Sequence, residues 1–80
     1  MKPVRIEVRY LDAKYGWYVC PKDAEGNQID FELFDCGFTE CPYSHLKRHA
    51  ISDAKKMQAE AVKAKIYIYT KNERKVRELT

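Results

Sequence analysis

Val4, Ile6, Val8 and Tyr10 alternate with Arg5, Glu7 and Arg9, the period of a strand with one buried face. Residues 11–14, LDAK, turn the chain. Tyr15 to Cys20, YGWYVC, is rich in aromatic and β-branched residues, which favour strands. Beyond the turn signal KDAEGN, Ile29, Phe31 and Leu33 alternate with Asp30 and Glu32, and the three segments together predict an antiparallel meander.

From Tyr43 the period changes. Tyr43, Leu46, Ala50, Ala54, Met57 and Ala61 recur at three and four residues and occupy an arc of roughly 80° on one helix. Three of the six are alanine, so the helix axis can approach the strands closely, with Leu46 and Met57 supplying bulk. Pro42 suits the first helical turn, where a missing N–H costs nothing. Ser52 and Asp53 offer an alternative cap for a second, shorter helix after a break near Ile51. Ile66 and Ile68 alternate with Tyr67 and Tyr69 in a last strand, before KNERKVRELT.

The order is therefore β-β-β-α-β, an α+β fold with a four-stranded antiparallel sheet and one helix packed on one face. The expected core is Val4, Ile6, Val8, Trp17, Val19, Ile29, Phe31, Leu33, Leu46, Met57, Ile66 and Ile68. The opposite face, open to solvent or a partner, carries Arg5, Arg9, Tyr18, Phe34, Tyr67 and Tyr69 if the alternation holds. A one-residue slip in register would invert every one of these assignments.

Length changes the picture by excluding depth. A chain of 80 residues buries only roughly 60 to 65% of its unfolded surface, which leaves a thin core and little room for an enclosed active site. It reads as one domain, residues 1–80, with 71–80 as a charged C-terminal tail. No apolar run approaches the ~20 residues of a membrane span, and MKPVRIEV lacks a secretory apolar core, so the expected location is cytoplasmic. Three cysteines fit free thiols in a reducing compartment. If Cys20 and Cys36 lie on the two arms of one hairpin, they are ~23 Å apart along it and cannot bridge.

Charge is split along the chain. Residues 1–40 carry five Lys or Arg against eight Asp or Glu, and residues 41–80 carry ten against four. The second half suits an acidic partner, nucleic acid or an anionic protein surface. Arg48, Lys55, Lys56 and Lys63 fall within about 80° of each other on the helical wheel, with Lys47 flanking them. This stripe could follow a phosphate backbone, and Arg74, Lys75 and Arg77 extend it. Tyr67 and Tyr69, if outward, could stack on bases or on a protein. An exposed helix with a basic stripe is equally what solubility alone requires.

One stretch, CGFTECPYSHLKRH, raises the question of a metal. Cys36, Cys41, His45 and His49 number the four ligands zinc takes, and SHLKRH resembles the helix of a two-Cys two-His zinc finger over about six residues. In such fingers about twelve residues separate the second Cys from the first His, and here only Pro42, Tyr43 and Ser44 do. A helix start delayed to Ser44 would free Cys41 and restore the tetrahedron, but with a helix starting at Pro42, Cys41 and His49 would lie ~12 Å apart along its axis. No metal or other cofactor is therefore expected, and the two cysteines read as small apolar fillers. A Cys41–His45 nucleophile pair lacks an orienting Asn or Asp and an oxyanion turn. No phosphate loop is present, and catalysis is not expected.

The meander followed by a helix resembles in topology the arm-binding domains of phage integrases, although Asp23, Glu25, Asp30, Glu32 and Asp35 would face phosphates unfavourably. Gly16, Trp17, Tyr18 and Val19, the alanines Ala50, Ala54, Ala59, Ala61 and Ala64, and Ile66 to Tyr69 resemble a small bacterial and phage domain of unknown function. The likeness spans roughly Tyr15 to Val76, with the insert between Asp35 and Ser44 departing from it. It implies a fold and no activity.

Two functions are compatible with these readings. One is a non-enzymatic protein-binding module of phage or mobile-element type, with an inhibitor of a host defence complex, as anti-CRISPR proteins are, as its sharpest form; its partner would be a protein or a nucleoprotein complex. The other is a nucleic-acid-binding domain using the basic helix face. The candidate contact residues are Arg48, Lys55, Lys56, Lys63, Tyr67, Tyr69, Arg74 and Lys75. Because the expected core does not need the ~10 kcal/mol a structural zinc contributes, the protein should melt at the same temperature with and without excess EDTA. One equivalent of bound zinc and a melting point that collapses on chelation would reverse that expectation.

Overall fold

The computed structural model describes residues 1–79. Five strands and one helix follow in the order β1 (Arg5–Asp12), β2 (Gly16–Lys22), β3 (Tyr43–Ser44), α1 (Lys47–Gln58), β4 (Lys65–Tyr69) and β5 (Val76–Leu79). They form an α+β fold with one mixed sheet of spatial order β3-β2-β1-β4-β5. The expected four antiparallel strands are thus corrected in number and direction. β1 and β4 are parallel, with Ile6 opposite Ile66 and Val8 opposite Ile68, while every other pairing is antiparallel. The cause is the helix: it carries the chain back across the sheet, so β4 enters in the same direction as β1.

The third meander strand does not form. Gln28 makes a single bridge to Lys22 and the Ile29 amide donates to the Pro21 carbonyl, after which Asp30 takes over. Its carboxylate accepts from the Glu32 amide at 2.9 Å and its carbonyl from Leu33 at 2.9 Å, coiling the segment into a turn that competes with any ladder. Ile29, Phe34 and Cys36 are buried and pin this loop to the core, and Leu33 is exposed. Phe34, expected outward, is therefore an anchor.

The helix begins later than its periodicity predicts. Pro42 lies on the sheet margin, its carbonyl accepting the Val19 N–H, and Tyr43 and Ser44 pair with Tyr18 and Trp17 as the edge strand β3. The Ser44 hydroxyl accepts the Leu46 amide at 3.2 Å, and Leu46 is the exposed N-cap residue. One helix then runs without a break through Ser52 and Asp53 to Gln58. Ala50, Ala54 and Met57 are its buried residues, and the two alanines let it lie close on Ile6, Val8, Val19, Ile66 and Ile68. Val4 keeps the inward parity of β1 but is exposed.

Residues 71–79 are not a tail. The chain reverses at Thr70–Lys75, with the Thr70 amide donating to the Lys75 carbonyl at 3.0 Å, and Val76–Leu79 pairs with Tyr69–Ile66. Leu79, opposite Ile66, packs against the core. A charge-rich sequence hides this strand because it is an edge with one small apolar contact.

At the other margin, Gly16 starts β2 with φ +78°. A Cβ there would collide with the Ser44 carbonyl oxygen and lie 2.7 Å from the His45 Cα, backbone atoms that cannot yield. At Gly37, with φ +85°, nothing stands within 4 Å of the same position. Gly37→Ala therefore carries only the ~1 kcal/mol of left-handed backbone, whereas Gly16→Ala should cost ~2 kcal/mol or more. In thermal melts that difference reads as roughly 5–10 °C between the two variants, and equal shifts would show that β3 is not held against β2 by this contact.

Candidate interaction surface on the open sheet face

Alternation along β1 sends Arg5, Glu7 and Arg9 to the face away from α1. Cross-strand register adds Lys22, Cys20 and Tyr18 from β2, Tyr43 from β3, Tyr67 and Tyr69 from β4, and Glu78 and Val76 from β5. No described helix or strand covers this face, which the turn at residues 23–26 borders beside Arg5, Glu7 and Tyr67 and Gln28 caps at Cys20.

At its centre Glu7 is only 5% exposed. A carboxylate this buried requires partners, and they arrive from both sides of it along the same strand. Arg9 Nε donates to Glu7 Oε1 at 2.8 Å, and Arg5 Nε lies 2.9 Å from Oε2. The Tyr69 hydroxyl donates to Oε2 at 3.2 Å and accepts from the second guanidinium nitrogen of Arg5 at 2.9 Å. Lys22 Nζ stands 3.9 Å from Oε1. Burial pushes the Glu7 carboxyl up, but the Arg9 hydrogen bond, the charges of Arg9 and Arg5 and the Tyr69 hydroxyl outweigh it and hold the group below its ordinary value. Burial and the adjacent Glu7 charge push the Tyr69 phenol up, so it remains a donor. A carboxylate so engaged is a poor proton acceptor and a good strut.

The arginines it holds also lie on aromatic rings. The Arg5 guanidinium carbon is 4.1 Å from the Tyr67 ring centre and that of Arg9 is 3.9 Å from Tyr69, a stacked geometry that adds to the ion pairs. Arg9 reaches further to Glu73 at 2.8 Å, whose φ of 57° marks the sharpest point of the β4–β5 turn. Toward β3 the face continues as a row of rings, Tyr18 to Tyr43 at 5.8 Å and Tyr43 to Tyr15 at 5.5 Å between centroids. Tyr43 is 51% exposed and Tyr15 45%.

The sequence-selected contact residues are divided between two sides of the molecule. Tyr67 and Tyr69 lie on the open face beneath the arginines. Arg48, Lys55 and Lys56 are exposed on α1, and Lys63 follows it. Lys55 and Lys63 converge with Lys65 on an open groove of about 580 Å³ between the helix end and β4–β5, where Lys65 faces Glu78 at 3.7 Å. Arg74 and Lys75 sit in the β4–β5 turn, with Lys75 beside Arg77 and Lys47 in a second, smaller groove. Arg48 and Lys56 join neither groove.

Sequence reasoning passed over Glu7 and Tyr43. The signal for Glu7 was present: Arg-x-Glu-x-Arg on a strand puts three charges side by side on one face. Tyr43 was assigned to the helix because its spacing to Leu46 fits that period. Of the cysteine–histidine stretch, Cys36 is buried in the core while His45 and His49 are exposed, and among the described residues no three His, Cys, Asp or Glu side chains are grouped to hold a metal ion. Likewise no described helix is long and apolar enough to cross a membrane. Comparisons of the chain with known protein families, with curated proteins and with solved structures find no match.

Because its folded value is lowered, Glu7 contributes stability that is present above its ordinary value of 4.5 and is lost as pH falls through the folded value. Glu7→Gln should lower stability at pH 7 by about 3 kcal/mol, since it leaves the arginines without their counter-charge. The gap between wild type and variant should then narrow in melts taken progressively below pH 4.5. A gap that stays constant down to pH 3 would mean that the carboxylate is not the ionised partner described.

Proposed function

We propose that the chain is a non-enzymatic binding module that docks on a protein through its open sheet face. The observation that carries this is the composition of that face: Tyr15, Tyr18, Tyr43, Tyr67 and Tyr69 with Arg5 and Arg9, covered by no described helix or strand, the two arginines and Tyr69 being held by the buried Glu7. Tyr and Arg are the residues that protein interfaces concentrate, and side chains already held in place lose little freedom on binding. The inhibitory form of this reading has the face occupying a surface of a larger nucleoprotein assembly, such as a host defence complex. Its support is this broad face of tyrosine and arginine.

A second reading, nucleic-acid binding, is favoured by the grooves along α1 and β5, where Lys47, Lys55, Lys63, Lys75 and Arg77 gather toward the helix side of the sheet and Lys65 reaches in from the margin of the open face. The two readings use opposite surfaces and separate cleanly. With the wild-type chain immobilised against extract of its native host, Tyr15→Ala/Tyr43→Ala should lose the captured protein by at least tenfold, and Lys55→Glu/Lys63→Glu should retain it. Retardation of DNA or RNA that weakens steeply with salt and is lost in the lysine variant, with the tyrosine variant unaffected, would replace the first reading by the second.

A further inference from the structure

Cys36 and Cys41 were expected to be small apolar fillers, and Cys36 is packed in the core. Cys20 and Cys41 are placed differently. The β2–β3 ladder pairs Trp17 with Ser44 and Tyr18 with Tyr43, and the Val19 N–H donates to the Pro42 carbonyl at 3.2 Å. Carried one residue further, the same register sets Cys20 opposite Cys41. Since Val19 and Pro42 form the hydrogen-bonded pair, the next pair is of the non-hydrogen-bonded kind, whose Cα atoms approach to ~4.5 Å. That lies inside the ~4.4–6.8 Å a disulfide spans. Both side chains emerge on the open face.

We propose that Cys20 and Cys41 form a cross-strand dithiol that closes to a disulfide by exchange with a low-molecular-weight disulfide. Cys20 is 3% exposed, its Sγ donating to Gln28 Oε1 at 3.3 Å, while Cys41 is half-buried and is the sulfur an incoming molecule meets. The two thiols act as one titrating pair: the Cys41 hydrogen bond, then the Lys22 charge against the opposing effect of burial, draw Cys20 down, and the same contact pushes Cys41 up. Arg9 on one side favours the anion, and Glu7 and Glu40 oppose it. Cys20 is therefore the thiol of the pair that gives up its proton, more readily than an isolated buried thiol would.

The exchange balances in two steps. Cys20, as thiolate, takes the proton of Cys41 as the Cys41 sulfur attacks one sulfur of the small disulfide; the Cys41–S–S–R bond forms, and the other half leaves as a thiolate that takes that proton from Cys20. Cys20, as thiolate, then attacks the Cys41 sulfur, the Cys20–Cys41 bond forms and the second thiolate leaves. The dithiol has lost two electrons and two protons, and the small disulfide has become two thiols. The closed bond ties the start of β3 to β2, fixing Tyr43 in its ring row, and shuts the long loop that joins the two strands.

The test uses the full chain equilibrated with excess oxidised glutathione and quenched with a maleimide. Two of the three thiols should disappear, and peptides cut after Lys22 and after Glu40 should appear joined through Cys20 and Cys41. The melting temperature should rise by about 5–15 °C and return on reduction, and Cys36→Ala should likewise lose two thiols, leaving none. Cys41→Ser, at a half-exposed position, should lose the rise and keep both remaining thiols free of an internal bond. A bond to Cys36, a product that stops at a glutathione adduct, or a chain that keeps three thiols would overturn the proposal.

Discussion

The rest of the molecule is arranged around one buried negative charge. Glu7 sits on the central strand of a thin sheet, where water cannot solvate it, so the sheet must bring cations to it. It does so with the cheapest device available to a strand, residues two before and two after. The consequences spread sideways: Arg5 and Arg9, once committed to the carboxylate, lie over Tyr67 and Tyr69 of the neighbouring strand, and Arg9 also holds the turn that launches β5. Slipping β1 by one residue would drive Glu7 under Ala50 and Ala54, into the apolar core. The charge therefore fixes the register of β1 against both neighbours more strictly than Ile6 and Val8 would alone.

Where the chain followed a simple period, its structure was legible before any coordinates. β1, β2, β4 and most of α1 stand where alternation and the three-and-four spacing put them, because each buries one face against the others. Ile29 to Leu33 has the same alternation and makes no strand: the Asp30 side chain satisfies local amides faster than a distant edge could, and no periodicity encodes that competition. Residues 76–79 show the reverse, a strand concealed in charge because only Leu79 is drawn inward. The parallel pairing of β1 with β4 depends on where the helix ends relative to the sheet, a three-dimensional fact with no local signature.

The surface was legible to a similar degree. Alternation, if it held, put Arg5, Arg9, Tyr18, Phe34, Tyr67 and Tyr69 on the open face; all but the buried Phe34 lie there, since the parity of their strands is set by the core residues between them. The lysines of the helix were correctly read as exposed, yet their company was not foreseen: Lys55 and Lys63 meet Lys65 across a groove only because β4 runs beside the helix end. The partnership of Cys20 with Cys41 was invisible for a stricter reason, as it depends on the register of a two-residue strand reached through a long irregular loop.

The two margins of the sheet are unlike each other. On the β3 side the ladder is two residues long, so a strand from another molecule would find few backbone groups to bond. On the β5 side four residues present an unshielded row of backbone groups. A sheet with a single usable margin is a terminated template: two copies meeting β5 to β5 would join into one ten-stranded layer whose outer borders are both of the blunt kind. Strand addition through β5 alone would thus stop at a pair, because the border it leaves on either side is the short one.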